Sequence, residues 1–359
     1  MEKLVRYIQE LLKGIGLITA PVFLFSMIFS CTDNFDTLIT KEVEKSKISE
    51  QEFVWKGYRS LPDPRGGAAA AVYNGWLYIH GGIDESGVRN DLWRINLSSL
   101  DLDTISAGGE FLGTDIQRAF HTMVAIDEKL YIFGGIDASG NATNTLKACD
   151  TTSDTWDTEI TTSDTNGPFP PARSAHVSFT WNGYLFVHGG EDNGSAVDSD
   201  LYRLEFEGNQ ANGKHVWKKL VTAEYRAGHG AAVIDDIVYM AGGSNPSDDS
   251  YFKNMWTFDL ESETTAVITV DDTALERKNI SLAALDGGLF TFGGETSAGL
   301  IADFLAGTVG GDWYQYTGEP AKRSDYALYV NGSSLFLFGG YNETEGLYYN
   351  DIWKITLQE

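Results

Sequence analysis

The chain has few cysteines and few basic residues, and each shortage excludes a class of protein. Only two cysteines, Cys31 and Cys149, occur among 359 residues, so a framework of several disulfides is excluded. Lysine and arginine number 26 against 51 acidic residues, which gives a formal net charge of −25. Such a surface repels phosphate backbones, so we predict no nucleic-acid partner. The charge fits plain solubility, or an acidic face for cationic ligands or divalent ions.

The sequence also lacks the motifs of the common catalytic sites. It contains no HExxH, no GxSxG, no P-loop and no dinucleotide fingerprint in a strand–helix setting. No cofactor is therefore predicted.

One long apolar run is present, from Ile15 to Ser30, and it ends at Cys31. A membrane-spanning helix needs about 20 residues, so this run is short for a span, but its length suits the core of a signal peptide. Its last four residues, IFSC, resemble a bacterial lipobox, in which the cysteine is lipidated. The resemblance implies a signal peptide over residues 1–30 and lipid attachment at Cys31. The alternative is an uncleaved N-terminal anchor.

The residues after Cys31 predict a tether and a destination. Thr32 follows the cysteine, and by resemblance to the Gram-negative sorting rule this favours the outer membrane, with the domain facing either the periplasm or the cell surface. Residues 32–51 are polar and charged, without sustained periodicity. We predict a lipidated cysteine and flexible tether over 31–51, and a folded domain over 52–359.

A short apolar run closed by two glycines occurs six times in the folded part. The intervals between copies are 53, 55, 53, 51 and 46 residues, a period typical of propellers. An arginine stands seventeen residues before each second glycine. Because this distance is constant while the repeat length varies, one rigid unit is copied. The arginines are Arg65, Arg118, Arg173, Arg226, Arg277 and Arg323.

Each unit is predicted to be a β-hairpin that turns at a tight pair such as Asn74-Gly75 or Asn182-Gly183. The apolar runs barely alternate, which indicates strands buried on both faces. A third strand follows each glycine pair, and a fourth strand often carries tryptophan, with a degenerate version near Leu102. Four antiparallel strands a copy predict an all-β, six-bladed propeller. The fourth-strand tryptophans are Trp156, Trp217 and Trp313.

The arginine, the hairpin ending in Gly-Gly and the later tryptophan resemble the kelch motif over residues 52–359. The final copy stops at Leu357, after its third strand, and FVWKGY at residues 53–58 is the missing fourth strand. We therefore predict a ring closed by this N-terminal strand, with Trp55 as its anchor. In kelch propellers the second–third and fourth–first loops open on one face. Here those loops are the long ones, so that face is the candidate surface.

Two interpretations of the six arginines stay open. With Glu191 and Glu295 they are candidate ligand contacts, as in kelch adaptors of ubiquitin ligases, where some arginines bind acidic peptides. The structural interpretation pairs each arginine with a loop carbonyl or with an acidic residue just past the glycines, and so locks adjacent blades. Those acidic residues are Asp84, Asp137, Glu191, Asp192 and Glu295.

Three histidines, His121, His176 and His229, each lie three residues after the arginine in successive copies. They suggest either a metal site or a repeat-consensus histidine that is hydrogen-bonded between blades. We favour the second interpretation and predict no metal.

These observations predict a membrane-anchored, non-catalytic module that binds a glycan or a protein through the long-loop face. The alternative is a sugar-active enzyme of the sialic acid mutarotase type, because anomer interconversion needs only an acid and a base beside an arginine. Galactose oxidase chemistry is excluded, since the sequence has no Tyr-His dipeptide and Cys149 lies in a third-strand motif. The ligand, any catalysis and the oligomeric state stay open.

Overall fold

A computed structural model describes residues 48, 51–58, 63–98, 110–114, 116–157, 165–206, 215–270 and 273–358. All of them belong to one compact unit, Ile48–Glu359. The predicted signal peptide, Cys31 and most of the predicted tether lie outside the described residues. Among the described parts of the chain, none forms a helix with the length and apolar character of a membrane span.

The described chain forms strands only, and their bounds follow the six copies. The N-terminal strand is β1 (Glu52–Tyr58). Copy one contains β2 (Ala69–Tyr73), β3 (Trp76–His80), β4 (Ile83–Asp84), β5 (Gly87–Val88), β6 (Asp91–Asn96) and β7 (Glu110–Thr114). Copy two contains β8 (Thr122–Ile126), β9 (Lys129–Phe133), β10 (Leu146–Asp150) and β11 (Thr155–Trp156). Copy three contains β12 (Thr165–Asn166), β13 (Val177–Trp181), β14 (Tyr184–His188), β15 (Glu191–Asp192), β16 (Ser195–Ala196), β17 (Asp200–Glu205) and β18 (His215–Thr222).

The remaining copies continue the same order. Copy four contains β19 (Ala227–Ile234), β20 (Ile237–Asn245), β21 (Ser250–Tyr251), β22 (Met255–Asp259) and β23 (Thr264–Ile268). Copy five contains β24 (Ala283–Leu285), β25 (Gly288–Phe292), β26 (Glu295–Thr296), β27 (Gly299–Leu300), β28 (Asp303–Thr308) and β29 (Trp313–Thr317). Copy six contains β30 (Ala327–Asn331), β31 (Ser334–Phe338), β32 (Tyr341–Asn342), β33 (Leu347–Tyr348) and β34 (Ile352–Gln358).

The main strands form six antiparallel sheets, which we call blades 1 to 6: β2-β3-β6-β7, β8-β9-β10-β11, β13-β14-β17-β18, β19-β20-β22-β23, β24-β25-β28-β29 and β30-β31-β34-β1. The predicted six-bladed propeller is confirmed. One strand differs from expectation. The fourth strand of blade 1 is Glu110–Thr114 rather than a segment near Leu102, which lies outside the described residues. No tryptophan marks that strand in the sequence.

Tight turns set the register of the hairpins. Asn74 and Gly75 have φ values of 48° and 76°, and Asn182 and Gly183 have 49° and 75°. Both residues of such a turn need positive φ, which asparagine and glycine tolerate best. The turns predicted from the sequence are thus confirmed, and they all lie at one end of the propeller, which we call the turn face.

In five copies the double glycine directly follows the second strand, at the opposite end, which we call the mouth face; in copy four β20 continues through it to Asn245. Gly190 has a φ of 98°, and a Cβ atom on Gly189 would lie 2.2 Å from the carbonyl oxygen of Arg226 in the next blade. No side chain fits at that distance. Glycine is required here because the backbones of two blades meet.

Six apolar clusters fill the interfaces between neighbouring blades. One cluster, for example, joins Leu77 and Ile79 of blade 1 to Phe336 and Phe338 of blade 6. The others join blades 1 and 2, 2 and 3, 3 and 4, 4 and 5, and 5 and 6. Each sheet is therefore covered on both faces, as the unbroken apolar runs predicted.

The N-terminal strand completes blade 6. Strand β1 pairs with β34 from Glu52 opposite Gln358 to Tyr58 opposite Ile352, and Trp55 lies opposite Ile355. The Trp55 ring packs edge-on against Phe304 at a centroid distance of 5.2 Å. The predicted closure is confirmed: β1 covers the edge of β34 and is the outermost strand of blade 6.

The chain enters the propeller at the turn face. Glu52, the first residue of β1, lies opposite Gln358 at the end of β34, and the side chain of Gln51 donates a hydrogen bond to the Gln358 carbonyl at 2.5 Å. Ile48 packs into the core between blades 5 and 6, beside Gly288, which follows the hairpin turn of blade 5.

Candidate functional site

The six candidate arginines lie at the mouth face, just before each first strand, and all of them are buried. In five copies the Nη1 atom donates a hydrogen bond to the carbonyl oxygen of the first glycine of the same copy, at 2.8–3.0 Å. Arg118 donates to the carbonyl of Gln117 and to the hydroxyl of Thr145, both at 2.8 Å. The guanidinium groups are thus held inside the protein.

Carboxylates at or just before the third strand pair with four of these arginines. The pairs are Arg65–Asp91 (2.7 and 2.9 Å), Arg173–Asp198 (2.9 Å), Arg277–Asp303 (2.7 and 3.0 Å) and Arg323–Asp351 (2.5 and 2.9 Å). Arg226 contacts Glu224 and the side-chain oxygen of Asn254. Burial opposes ionisation of Asp91, but the hydrogen bonds and charge of Arg65 lower its pKa.

The pairing partners differ from those that the sequence suggested. Asp84, Asp137, Glu191, Asp192 and Glu295 follow the glycines but are not the partners of the six arginines. The third strand runs back along the second, so its first residue reaches the glycine pair: the Gly81 amide donates to the Asp91 carbonyl at 3.0 Å. The loop residues beyond the glycines are therefore available for other contacts.

The backbone at each arginine also joins two blades. The amide of each second glycine donates to the carbonyl oxygen of the arginine in the next copy at 2.7–3.0 Å, and Gly340 closes the circle on Arg65. Together with the side-chain pairs, these bonds account for one arginine in every blade. They are the contacts that the structural interpretation requires, so we do not assign these arginines to ligand contact.

The histidines lie between blades and not in a common site. His121 Nε2 lies 3.0 Å from His80 Nδ1 of the preceding blade, and His229 Nε2 lies 3.1 Å from His188 Nδ1. His176 Nε2 lies 2.9 Å from Thr122 Oγ1. Burial lowers the pKa of His80, His176 and His188 to about 3, and it also lowers that of His121 and His229.

The histidine pairs are neutral bridges between blades, as the preferred interpretation held. In the described parts of the chain, no group of three or more His, Cys, Asp or Glu residues is arranged to hold a metal ion. Cys149 is buried in β10.

A second ring of residues, two positions after each arginine, surrounds the entrance to the central channel. Its members all have φ between 52° and 63°: Gly67, Phe120, Ala175, Gly228, Asn279 and Asp325. Most are linked around the ring by backbone hydrogen bonds, for example from the Phe120 amide to the Gly67 carbonyl at 2.8 Å. They line a channel of about 260 Å³. We call this entrance, with the residues that follow the glycine pairs, the mouth.

The residue after each glycine pair occupies the same place in every blade, beside the residue that follows the arginine. Short bridges fix this geometry, such as those of Ile83 with Gly66 and of Glu295 with Lys278. Yet the side chains at this place are of four kinds: Ile83, Ile136, Glu191, Ser244, Glu295 and Tyr341. The mouth is therefore regular in backbone and irregular in chemistry.

The mouth has a charged sector on blades 3 to 5. Lys278 Nζ lies 2.7 Å from the Asp249 carboxylate and 3.9 Å from that of Glu295. These residues, with Glu191 and Asn279, line a cavity of about 350 Å³. Burial raises the pKa of both Glu191 and Glu295, and Lys278 only partly offsets this. Asp325 lies on the channel rim, where burial raises its pKa to about 6.

An apolar sector on blades 6, 1 and 2 completes the mouth. The rings of Tyr341 and Tyr348 stack with centroids 4.5 Å apart. A Cβ atom on Gly67 would lie 2.8 Å from the Phe120 ring, so glycine there leaves room for that ring. Ile83 and Ile136 are half-buried alongside. The two sectors make the entrance amphipathic.

Two residues singled out in the sequence lie at the mouth: Glu191 and Glu295 line the cavity of the charged sector. The repeat pattern did not predict Lys278, Asp325 or Phe120, because the positions one and two residues after the invariant arginine vary among the copies.

The fold and this mouth define a class of protein: a six-bladed propeller with a non-repetitive surface around its channel. A family model described as "KLHDC2/KLHL20/DRC7 Kelch-repeats domain" matches residues 30–225 and 121–306. The chain therefore belongs to the kelch-repeat family. Kelch propellers related to it are generally protein-interaction modules.

Several known proteins are similar to the chain. Tip elongation aberrant protein 3 of Schizosaccharomyces pombe is 24% identical over 62% of this chain and 21% of its own length. Beta-scruin of Limulus polyphemus is 25% identical over 69% of this chain and 27% of its own length. Kelch domain-containing protein 3 of Rattus norvegicus is 26% identical over 66% of this chain and 68% of its own length. The chain thus spans about a quarter of the length of the first two.

A solved structure shares the fold. The chain entitled "Structure of YjhT" superposes with a TM-score of 0.67 at 15% identity, covering 84% of this chain and 99% of that one. At this identity the likeness concerns architecture alone.

Proposed function

We propose that this chain is a recognition module that binds a protein partner through the mouth. The observation that carries the proposal is the irregular chemistry of the mouth upon a regular backbone. Six equivalent positions hold two isoleucines, two glutamates, a serine and a tyrosine, whereas the arginine layer beneath them is uniform. A surface that varies where its scaffold repeats is typical of a binding site on a repeat fold.

A protein partner is favoured over a sugar substrate because the residues that sugar chemistry would use are engaged in contacts inside the protein. The mutarotase alternative needs an acid or base beside an arginine that holds the sugar carboxylate. The arginines are buried in structural pairs, and His121, His176 and His229 lie between blades. Within the described residues, Lys278 at the mouth is already paired with the carboxylate of Asp249. A glycan ligand is an outcome that the experiment below distinguishes.

Membrane attachment is part of the same proposal. The apolar run before Cys31 and the resemblance of IFSC to a lipobox support lipidation of Cys31 and an outer-membrane location. A Cys31→Ser variant is expected to leave the membrane fraction of cells that express the full chain, and the N-terminal peptide should lose its lipid mass. Unchanged fractionation would contradict the anchor.

The recognition role is tested by capture from envelope extracts of the producing organism with the full-length chain in detergent. Phe120→Asn and Ile136→Ser copy the residues found at the same positions in blades 5 and 4, so the backbone tolerates them. Val267→Ser, on the exposed outer strand of blade 4, is the matched control. Captured proteins should be lost with both mouth variants and kept with the control. A partner retained equally by all three variants, or capture of glycans alone, would overturn the proposal.

A further inference from the structure

We propose that the mouth recognises a basic segment of its partner, with a lysine or arginine side chain over the charged sector and an apolar side chain against the apolar sector. This inference rests on the proposed function and adds the chemistry of the ligand. It follows from how charge, space and apolar surface are arranged around one entrance.

The charge of the mouth is unbalanced. The charged sector has three carboxylates, those of Glu191, Asp249 and Glu295, around one lysine. Lys278 binds Asp249 closely but lies 3.9 Å from Glu295. Among the described residues, Glu191 has no ion-pair or hydrogen-bond partner for its carboxylate. A second cation in the cavity would supply the missing partner.

The surroundings strengthen that imbalance. Besides burial, the negative charge of Glu343 raises the pKa of Glu295. The charges of Glu295 and Glu343 likewise add to the effect of burial in raising the pKa of Asp325 on the channel rim. Across the whole chain the formal charge is −25. An acidic partner segment would meet repulsion both on approach and in the cavity, whereas a basic segment is attracted at long range.

The space suits one long side chain. The cavity of about 350 Å³ between blades 3, 4 and 5 is at the lower end of the range of about 300–1,000 Å³ for small-ligand sites. Its floor includes Gly228 and Ala175, which have no long side chain to fill it. The aliphatic stem of lysine or arginine can cover these small residues while its head reaches the carboxylates.

The apolar sector specifies the flanking residue. The rings of Tyr348 and Phe120 lie against Gly66 and Gly67, and Tyr341 stacks on Tyr348. Backbone bridges place Ile83 beside Gly66 and Ile136 beside Ala119. Aromatic clusters of this kind dominate the energetics of protein interfaces. A segment that crosses the mouth therefore places an apolar side chain here when its basic side chain lies over blades 3 to 5.

A site built on exposed arginines would select an acidic ligand, and this mouth is not such a site. Because the arginines are held in internal pairs, the only side-chain cation that lines the cavity within the described residues is Lys278. The ligand that complements this surface is basic and not acidic.

The test uses fluorescently labelled octapeptides with a central Leu-Lys or Phe-Arg pair. Matched peptides carry norleucine or glutamate in place of the basic residue. Binding to the full-length chain in detergent is measured by fluorescence anisotropy at low and high salt. We expect the basic peptides to bind at least tenfold more tightly than the norleucine peptides, with the difference shrinking at high salt.

Variants of the protein locate the effect. A Glu191→Gln/Glu295→Gln chain is expected to lose at least tenfold in affinity for the basic peptides and to gain no affinity for the others. Glu128→Gln, at a hairpin turn of the opposite face, is the matched control and should bind like the parent. Unfolding of each variant is followed by circular dichroism, so that loss of the fold is recognised.

The outcomes separate this inference from the proposed function. If norleucine or glutamate peptides bind as well as basic ones, if no peptide binds, or if the double variant leaves affinity unchanged, the basic-segment inference is overturned. The recognition role would still stand if captured partners are lost with Phe120→Asn and Ile136→Ser. If those variants also retain every partner, the proposed function fails as well.

Discussion

Two adjacent layers at one end of the propeller use the same repeated positions in opposite ways. The arginine layer holds the same side chain six times, buried and hydrogen-bonded to backbone carbonyls, and in four copies it pairs with a carboxylate at or just before the third strand. The mouth holds different side chains at equivalent places, such as Gly67, Phe120, Asn279 and Asp325, each two residues after an arginine. In this fold, a side chain that every copy keeps joins blades, and a side chain that changes is available to a ligand.

The difference also explains why the arginines resemble a ligand-binding site in the sequence. Six basic residues converging on one channel resemble a binding site when seen in sequence. Each of them, however, meets carbonyl oxygens or carboxylates from its own copy before any ligand can reach it. Convergence in a repeat fold is produced by symmetry and does not by itself indicate a ligand.

The largest effect is expected from breaking the arginine layer. Arg277→Met removes one partner of a buried pair and leaves Asp303 without its cation. We expect the free energy of unfolding to fall by about 3–5 kcal/mol, measured by urea denaturation. Replacing both partners, as Arg277→Met/Asp303→Leu, should recover part of the loss. Glu295→Gln, in the mouth of the same blade, should change stability by less than about 0.5 kcal/mol. Equal losses for Arg277→Met and Glu295→Gln would remove the distinction between the layers.

The second effect concerns the buried histidines of the same scaffold. Their pKa values are lowered on folding, so below the unfolded pKa of 6.5 only the unfolded chain takes up their protons. Stability therefore falls as pH decreases from about 6.5 towards 3, by up to about 1.4 kcal/mol per pH unit for each histidine.

A double variant isolates one pair. His188→Phe/His229→Ala copies Phe338 and Ala68, which fill these two positions between blades 6 and 1. Proton uptake on unfolding, taken from the free energy of unfolding between pH 5 and 6.5, should fall by about two. An unchanged slope would mean that these histidines are protonated in the folded protein.

The third effect concerns Asp325 at the mouth, whose pKa shift lowers stability as pH rises, opposite to the effect of the histidines. Burial raises the pKa of Asp325 to about 6, above that of the unfolded chain, so its ionisation destabilises the fold as pH rises through this range. Asp325→Asn should stabilise the protein by about 1–3 kcal/mol at pH 7.5 and have little effect at pH 4. Asn279 shows that asparagine fits this positive-φ position. Thermal unfolding at the two pH values provides the measurement, and stabilisation that is equal at both would contradict the assignment.

A small effect on stability is expected where the effect on binding is largest. Phe120→Asn and Ile136→Ser change half-buried side chains at the mouth and should each cost less than about 1 kcal/mol. Urea denaturation of both variants checks this. A loss comparable to that of Arg277→Met would place these residues in the scaffold and blur the comparison.

Most of the fold could be predicted from the sequence because the same weak strand pattern recurs in six copies, and the copies support one another. One apolar run is ambiguous, but the constant spacing of arginine to Gly-Gly fixed the hairpin, and the missing last strand identified the role of residues 53–58. Blade 1 shows the limit. Its fourth strand lacks the tryptophan that marks other copies, and the predicted position near Leu102 was too early.

The site was harder to predict because its chemistry depends on pairing across elements. Asp91 and Asp303 bind the arginines because the third strand returns beside the glycine pair, a contact that no local spacing reveals. Asp325 has a raised pKa because its surroundings exclude water, and the sequence around it resembles that of any polar loop. The place of Glu191 and Glu295 at the mouth could be predicted because their position relative to the glycines is local.

The pairing of β1 with β34 has a consequence for the order of folding. Glu52 lies opposite Gln358, so the two partner strands are more than 300 residues apart in the chain. Contacts of such long sequence separation carry a large loop-closure cost, and blade 6 is therefore completed only when both ends of the propeller domain are available.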